Sequence, residues 1–306
     1  MFKALLRVQL SSVIASLMRS SKGDKKRSVA GGAMIAVLFV FVALVLLFAC
    51  GAMFYVLAGP LDSMGLDWFY FALAALTAFA LCFIGSVFTA QQQLFAARDN
   101  ELLLAMPIKP KFILGARMVM LLLINYALEL IVLLPALVAW GMQIGFTGAG
   151  IAAAVLSALL LPLLVMCFTC LFAWILAAIS SRMRNKTIIT MVLYLIFLAA
   201  YFYVYMNMND LLTSLIANGA EVAGAMSAVY PAYAFGQAIA DGNFVQLAGF
   251  AACCVVPFAI VYAVLSRGFL AVTTRRPTAK KAVYREQKLA VSSASAALLK
   301  KGLRHF

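Results

Sequence analysis

MVMLLLINYALELIVLLPALVAW, residues 118–140, runs for 23 residues with a single charged side chain, Glu129. A bilayer core about 30 Å thick is crossed by about 20 apolar residues in a helix rising about 1.5 Å per residue. The stretch is therefore read as one transmembrane helix. Counting inward from Arg117, the 12 residues to Glu129 span roughly 18 Å, which puts this carboxyl close to the middle of the hydrocarbon. Asn125 lies one turn earlier on the same helical face. An ionisable side chain at that depth is costly and marks a functional site by default. Two readings stand: Asn125 and Glu129 form a polar patch or proton-sensitive gate in a pathway, or a protonated Glu129 bonds Asn125, Tyr126 or a neighbouring span as bundle glue.

The rest of the 306-residue chain extends this pattern. Hydrophobic residues make up 66 % of it and charged residues 11 %, with a mean hydropathy of +1.05, whereas soluble domains run to about 45–50 % apolar and about 25 % charged. Six apolar runs qualify as spans: Val29–Ala58, Leu66–Ala90, Met118–Trp140, Ile151–Ile179, Thr187–Met206 and Phe244–Leu265. Backbone groups in lipid must be satisfied within their own segment, so each run is expected as a helix. The expected fold is all-α, a polytopic membrane protein of six transmembrane helices. No stretch is long and polar enough for a separate soluble domain.

Charge sets the expected orientation. Seven Lys and Arg precede the first run, four lie between the second and third, three between the fourth and fifth, and ten follow the sixth, which accounts for all 24. The alternate connections carry none and hold Asp62, Asp67, Asp210, Glu221 and Asp241 instead. By the positive-inside rule both termini and residues 91–117 are cytoplasmic. The net charge of +14 then reflects topology and anionic lipid. No aromatic-interleaved basic motif accompanies it, so nucleic acid is not expected as a partner.

Outside the spans, residues 1–28 place Phe2, Leu5, Leu6, Leu10, Val13, Ile14 and Leu17 at helical spacing with Lys3, Arg7 and Arg19 among them. This is the pattern of an amphipathic helix lying at the cytoplasmic interface. A six-span domain, 29–266, follows, and 267–306 form a basic tail or linker. Within that domain, residues 207–243 are apolar yet broken by Gly219, Gly224, Pro231 and Gly236, which predicts an external segment of short re-entrant or interfacial helices. Tyr201, Tyr203, Tyr205, Tyr230 and Tyr233 suit an interfacial belt. All six cysteines lie in apolar runs, where cysteine packs as a small hydrophobe, and no disulfide framework is expected.

The loop at 91–117 holds the most specific signal. Asp99 or Asn100 can cap a short helix over Glu101–Met106, ended by Pro107 and Pro110. Leu102, Leu103, Leu104 and Met106 point almost all round that helix, so one contact face cannot satisfy them. The run Arg98-Asp99-x-x-Leu102-Leu103-Leu104-Ala105-Met106-Pro107-Ile108, with Ile113 and Arg117 opening the next span, resembles the cytoplasmic loop of permease subunits of type-2 bacterial ABC exporters. Val229-Tyr230-Pro231-Ala232-Tyr233 resembles the proline-marked stretch before their last span. The resemblance implies that Arg98, Asp99, Glu101, Leu102, Leu103, Leu104, Met106 and Pro107 form a coupling helix docking on a separate cytoplasmic ATP-binding subunit. It further implies a multi-pass protein of the bacterial plasma membrane that exports a substrate.

On this reading the chain is not itself an enzyme. It has no G-x-x-x-x-G-K-[ST] loop, so ATP and magnesium are expected on the partner and no cofactor in this chain. The lone histidine, His305, and the absence of H-E-x-x-H and G-x-S-x-G motifs weigh against an intramembrane enzyme. An ATPase-independent scaffold, sensor or secondary transporter is the alternative. Ala4-Leu5-Leu6-Arg7-x-x-Leu10 recurs in character as Ala297-Leu298-Leu299-Lys300-x-x-Leu303. The expected second partner is accordingly either a second six-span half, this chain being the first half of a larger permease, or a second copy of a half-size permease.

Overall fold

The computed structural model describes residues 29–95, 110–182, 191–192, 195–196, 198–200, 202–203 and 206–273. Outside them lie the expected N-terminal helix, the loop helix at 98–107, most of the fifth run (Thr187–Met206) and the tail beyond Thr273. By backbone contacts the chain divides into Met1–Thr274 and Arg275–Phe306, and all described helices belong to the first unit.

Every regular element among the described residues is helical. The long helices are α1 (Val29–Ser63), α2 (Asp67–Ala90, extended by a π-turn over Gln91–Phe95), α3 (Pro110–Gln143) and α4 (Gly148–Arg182). Three short helices follow, α5 (Met208–Ala217), α6 (Gly219–Ser227) and α7 (Tyr230–Ala240), and then the long α8 (Phe244–Thr273). The five long helices are each long and apolar enough to cross a membrane, which makes this a multi-pass membrane protein.

These helices overrun the apolar runs that announced them. α3 begins eight residues before Met118, α8 ends eight after Leu265, and α1 continues through Gly59 and Pro60 to Ser63. Hydropathy detects only the part of a helix that lipid requires to be apolar, while backbone hydrogen bonding carries on beyond it. At Pro60 the helix persists close to its end, where Ser63 Oγ donates to the Pro60 carbonyl at 2.8 Å.

α2 and α3 form the centre of the bundle. They run antiparallel, with Tyr70 Oη donating to Ala136 O at 2.8 Å near one end and Cys82 Sγ to Asn125 O at 3.4 Å further along. α1 lies alongside α3, where Gly51 faces the Pro135 ring and Gln143 Nε2 donates to Tyr55 O at 2.7 Å. Small residues allow such close backbone approach where lipid provides no hydrophobic drive between helices. The earlier half of α1, from Met34 to Phe48, meets little of the chain and keeps Val37, Phe39 and Phe41 exposed.

The side chains form two main apolar clusters, stacked along the bundle axis. One joins Phe54, Leu57, Tyr70, Phe71, Val132, Trp140, Ala154, Phe235 and Phe250. The other, nearer the loop at 96–109, joins Ala90, Leu94, Ile113, Leu114, Leu121, Met166, Cys170 and Val261. All six cysteines are free, and Cys167 and Cys170 both pack in the second cluster.

α7 seals the first cluster. Phe235 meets the Phe250 ring edge-on at 5.3 Å, Trp68 meets Tyr233 at 5.0 Å, and Gly236 presses directly on the Trp68 carbonyl. A Cβ at Gly236 would collide with that carbonyl. Gly236→Ala is expected to destabilise the bundle by about 1–3 kcal/mol, the range for overpacking, read as a lower thermal unfolding temperature of the purified protein. Gly224→Ala, which meets nothing within 4 Å, serves as the neutral control.

Candidate intramembrane polar site

Asn125 and Glu129 sit where the two apolar clusters meet. On α3 the loop-side cluster takes Ile113 to Leu121 and the other takes Val132 to Trp140, so the two polar residues occupy the seam between them. α2 repeats the arrangement, with Cys82 and Ser86 lying between Ala78 and Ala90. Glu129 is 17 residues from one end of the apolar zone Phe112–Gln143 and 14 from the other, near its middle. Its neighbours keep water out: Asn125 is fully buried and Glu129 is 2 % exposed.

Burial without partners is what sets this pair apart. Asn125 Oδ1, Asn125 Nδ2 and Glu129 Oε1 have no hydrogen-bond partner. A third fully buried group, Ser157 Oγ on α4, is also unpartnered. Tyr126 Oη donates to Leu159 O at 2.8 Å and so sets the register of antiparallel α3 and α4. On α4 Ser157 lies within the first cluster, between Ala154 and Leu161, whereas Glu129 lies at its edge on α3, just before Val132. Cys82 on α2, Tyr126 on α3 and Cys254 on α8 lie within electrostatic reach of the Glu129 carboxyl.

The other buried polar side chains of the spans behave differently. Ser86 and Thr169 share a hydrogen bond at 3.0 Å between α2 and α4, and Thr169 Oγ1 also donates to Val165 O at 2.9 Å. Thr77 likewise bonds the Leu73 carbonyl one turn back. Arg117, buried at 3 %, has interactions of its own. An unpartnered buried polar group costs about 1–3 kcal/mol, and native structures hold few of them. Among the described residues such atoms occur on Asn125, Glu129 and Ser157 and also on Asp67 (Oδ1) and Gln246 (Oε1), and the pair Asn125–Glu129 is set apart by its depth in the span.

The chain matches no family model, no curated protein and no solved structure. Site assignment therefore rests on the residues themselves. Of the expected site residues, Asn125 and Glu129 fall together on the buried face of α3. The glue reading expects Glu129 to bond Asn125, Tyr126 or another span. Tyr126 donates to Leu159 O of α4, while Glu129 Oε1 and the side-chain amide of Asn125 have no hydrogen-bond partner. Arg98, Asp99, Glu101, Leu102, Leu103, Leu104, Met106 and Pro107 lie outside the described residues, and only the helix ends flanking them are seen.

Ser157 is absent from the sequence-based expectation. A serine in an apolar helix usually bonds the carbonyl one turn back, as the threonines here do, and nothing in the local sequence AVLSALLLP marks it as an exception. Among the described residues no group of three or more His, Cys, Asp and Glu could hold a metal ion.

If these polar groups are not bonded within the bundle, removing them should not weaken it. Asn125→Leu and Glu129→Leu are each expected to leave thermal stability unchanged or raised by about 1 kcal/mol, since a buried polar group without a partner is often replaced by an apolar one at no cost. A loss of more than about 2 kcal/mol in a denaturation series would show that the bundle bonds them after all.

Proposed function

We propose that this chain is the transmembrane subunit of an ATP-driven ABC exporter, itself without ATPase activity. It would couple through residues 98–117 to a separate cytoplasmic ATP-binding subunit that carries ATP and magnesium. The observation that supports this most is the anchoring of that loop. On one side it leaves α2 at Ala90 and Leu94; on the other it enters α3 at Ile113, Leu114 and Met118. These residues pack in one cluster with Met166, Cys167, Cys170 and Ala173 of α4 and Val261 of α8.

A push on the loop therefore acts on four spans at once. Core packing transmits displacement because it is dense and of low compressibility. The displaced cluster lies directly beside Asn125 and Glu129, which gives the loop a mechanical route to the polar seam. In this reading the seam lines the transport pathway, the membrane is the bacterial plasma membrane, and both termini are cytoplasmic. The second permease half or a second copy of the chain completes the transporter.

The buried carboxylate favours one other reading, a secondary transporter that works without an ATPase, because intramembrane carboxylates are common on ion pathways. The partner separates the two. Affinity purification of the full chain from its native membrane is expected to recover an ATP-binding subunit, and Leu103→Asp is expected to release it without lowering the amount of chain in the membrane. Recovery of the chain with no ATPase would leave the secondary transporter as the better account.

A further inference from the structure

We propose that a groove between α3 and α4 is a binding site for one acyl chain of a membrane phospholipid. The groove is a cavity of about 320 Å³ lined only by apolar atoms. Leu137 of α3 and Ala154 of α4, both packed in the first cluster, form its floor. Phe146, in the turn between the helices, closes one end, its ring 3.2 Å from where a Cβ on Gly141 would stand. Val138 on one side and Ile151 and Val155 on the other form the rims, each more than half exposed.

The sequence accounts for the depth. Gly141 has no side chain and Ala154 only a methyl, while the neighbouring Val138, Ile151 and Val155 are branched, so a furrow is left between taller ridges. Its volume lies at the lower end of the range for small-molecule sites, about 300–1,000 Å³.

What fills the groove follows from where it opens. Both helices are long and apolar enough to cross a membrane, and the lining residues stand within about two turns of the ends that meet at the α3–α4 turn. That depth is the acyl-chain region just inside the interface. The rims run on into Leu134 and Leu130 along α3 and into Leu159 along α4, all exposed at one-turn spacing, so the groove is continuous with the lipid-facing rows of both helices. Left empty, such a furrow forfeits dispersion contacts, and water does not settle in a cavity without polar groups. A flexible hydrocarbon chain supplies the missing contacts.

The surroundings select for the chain and not for the headgroup. No Lys or Arg occurs between Arg117 and Arg182, so an anionic phosphate meets no cation beside the groove. The polar side chains of the turn are already engaged: Gln143 Nε2 donates to Tyr55 O, and Thr147 Oγ1 accepts from Gly150 N. Phosphatidylethanolamine and phosphatidylglycerol with identical oleoyl chains are therefore expected to bind equally.

The test uses the full chain, purified in a mild detergent, supplied with either lipid and weighed by native mass spectrometry. At a detergent excess that strips the other lipids, one phospholipid per chain is expected to remain. Val155→Phe, which adds bulk at an exposed rim, should lower the retained fraction roughly fivefold, the loss of about ten close carbon–carbon contacts. Val138→Phe, on the facing helix, decides the matter if Val155→Phe fails to fold. Leu130→Phe, two turns away on the same exposed row, should leave retention unchanged.

A wild-type chain that holds no lipid under these conditions would overturn the proposal. So would equal retention by both groove variants, or a preference of about tenfold for one headgroup. A lipid-free dimer that Val155→Phe dissociates would assign the groove to a second copy of the chain and overturn it as well. None of these outcomes involves the ATP-binding subunit, so the exporter reading stands or falls separately.

Discussion

The antiparallel pairing of α2 with α3 is the contact on which the rest of the bundle depends. Two hydrogen bonds fix its register, Tyr70 to Ala136 and Cys82 to Asn125. In lipid the helices gain little from apolar contact as such, because the acyl chains are equally apolar. Close packing and a few polar bonds must therefore hold the helices in place. Once α2 and α3 are set, α4 docks through Tyr126 and the Ser86–Thr169 bond, α1 through Gly51 and Gln143, and α7 through Gly236 against Trp68.

The same pairing divides the interior into two apolar clusters with a polar seam between them. Aromatic side chains interlock in the first: Tyr70 meets Phe54 at 5.6 Å, Phe71 at 5.3 Å and Trp140 at 4.8 Å. Edge-to-face rings of this kind hold a fixed shape. The second is built from aliphatic and sulfur side chains, including Met118, Met166, Cys167 and Cys170. Such side chains adapt more readily to a change of neighbours. An aromatic cluster and a more adaptable aliphatic one thus occupy successive levels of the same helices. The loop at 91–117 is attached to the adaptable side.

Much of the architecture was legible in the sequence because lipid imposes a single severe condition. The long apolar runs named all five long helices, since no other structure satisfies the backbone in that solvent. Glu129 stood out for the same reason, as a charge where charge is costly. Less legible were features set by contacts between segments. Whether Ser157 bonds its own helix or is left unpartnered depends on how α4 lies against α3. The dense seating of α7 depends on Gly236 meeting a backbone carbonyl 168 residues away in sequence, at Trp68. Helix ends beyond the apolar runs leave little mark in the hydropathy, which falls off while hydrogen bonding continues.

The central claim is that Glu129 is enclosed within the bundle, shielded from water on both sides. It is tested most directly by placing a cysteine at this position, Glu129→Cys, in a chain whose six native cysteines are replaced, and treating sealed vesicles with a bulky membrane-impermeant thiol reagent. A second chain with Ser63→Cys, an exposed position at the end of α1, calibrates the rate. Without a partner subunit or ligand, the thiol at 129 is expected to stay unlabelled from either face while the one at 63 reacts. Labelling at 129 as fast as at 63, from either face, would contradict the account.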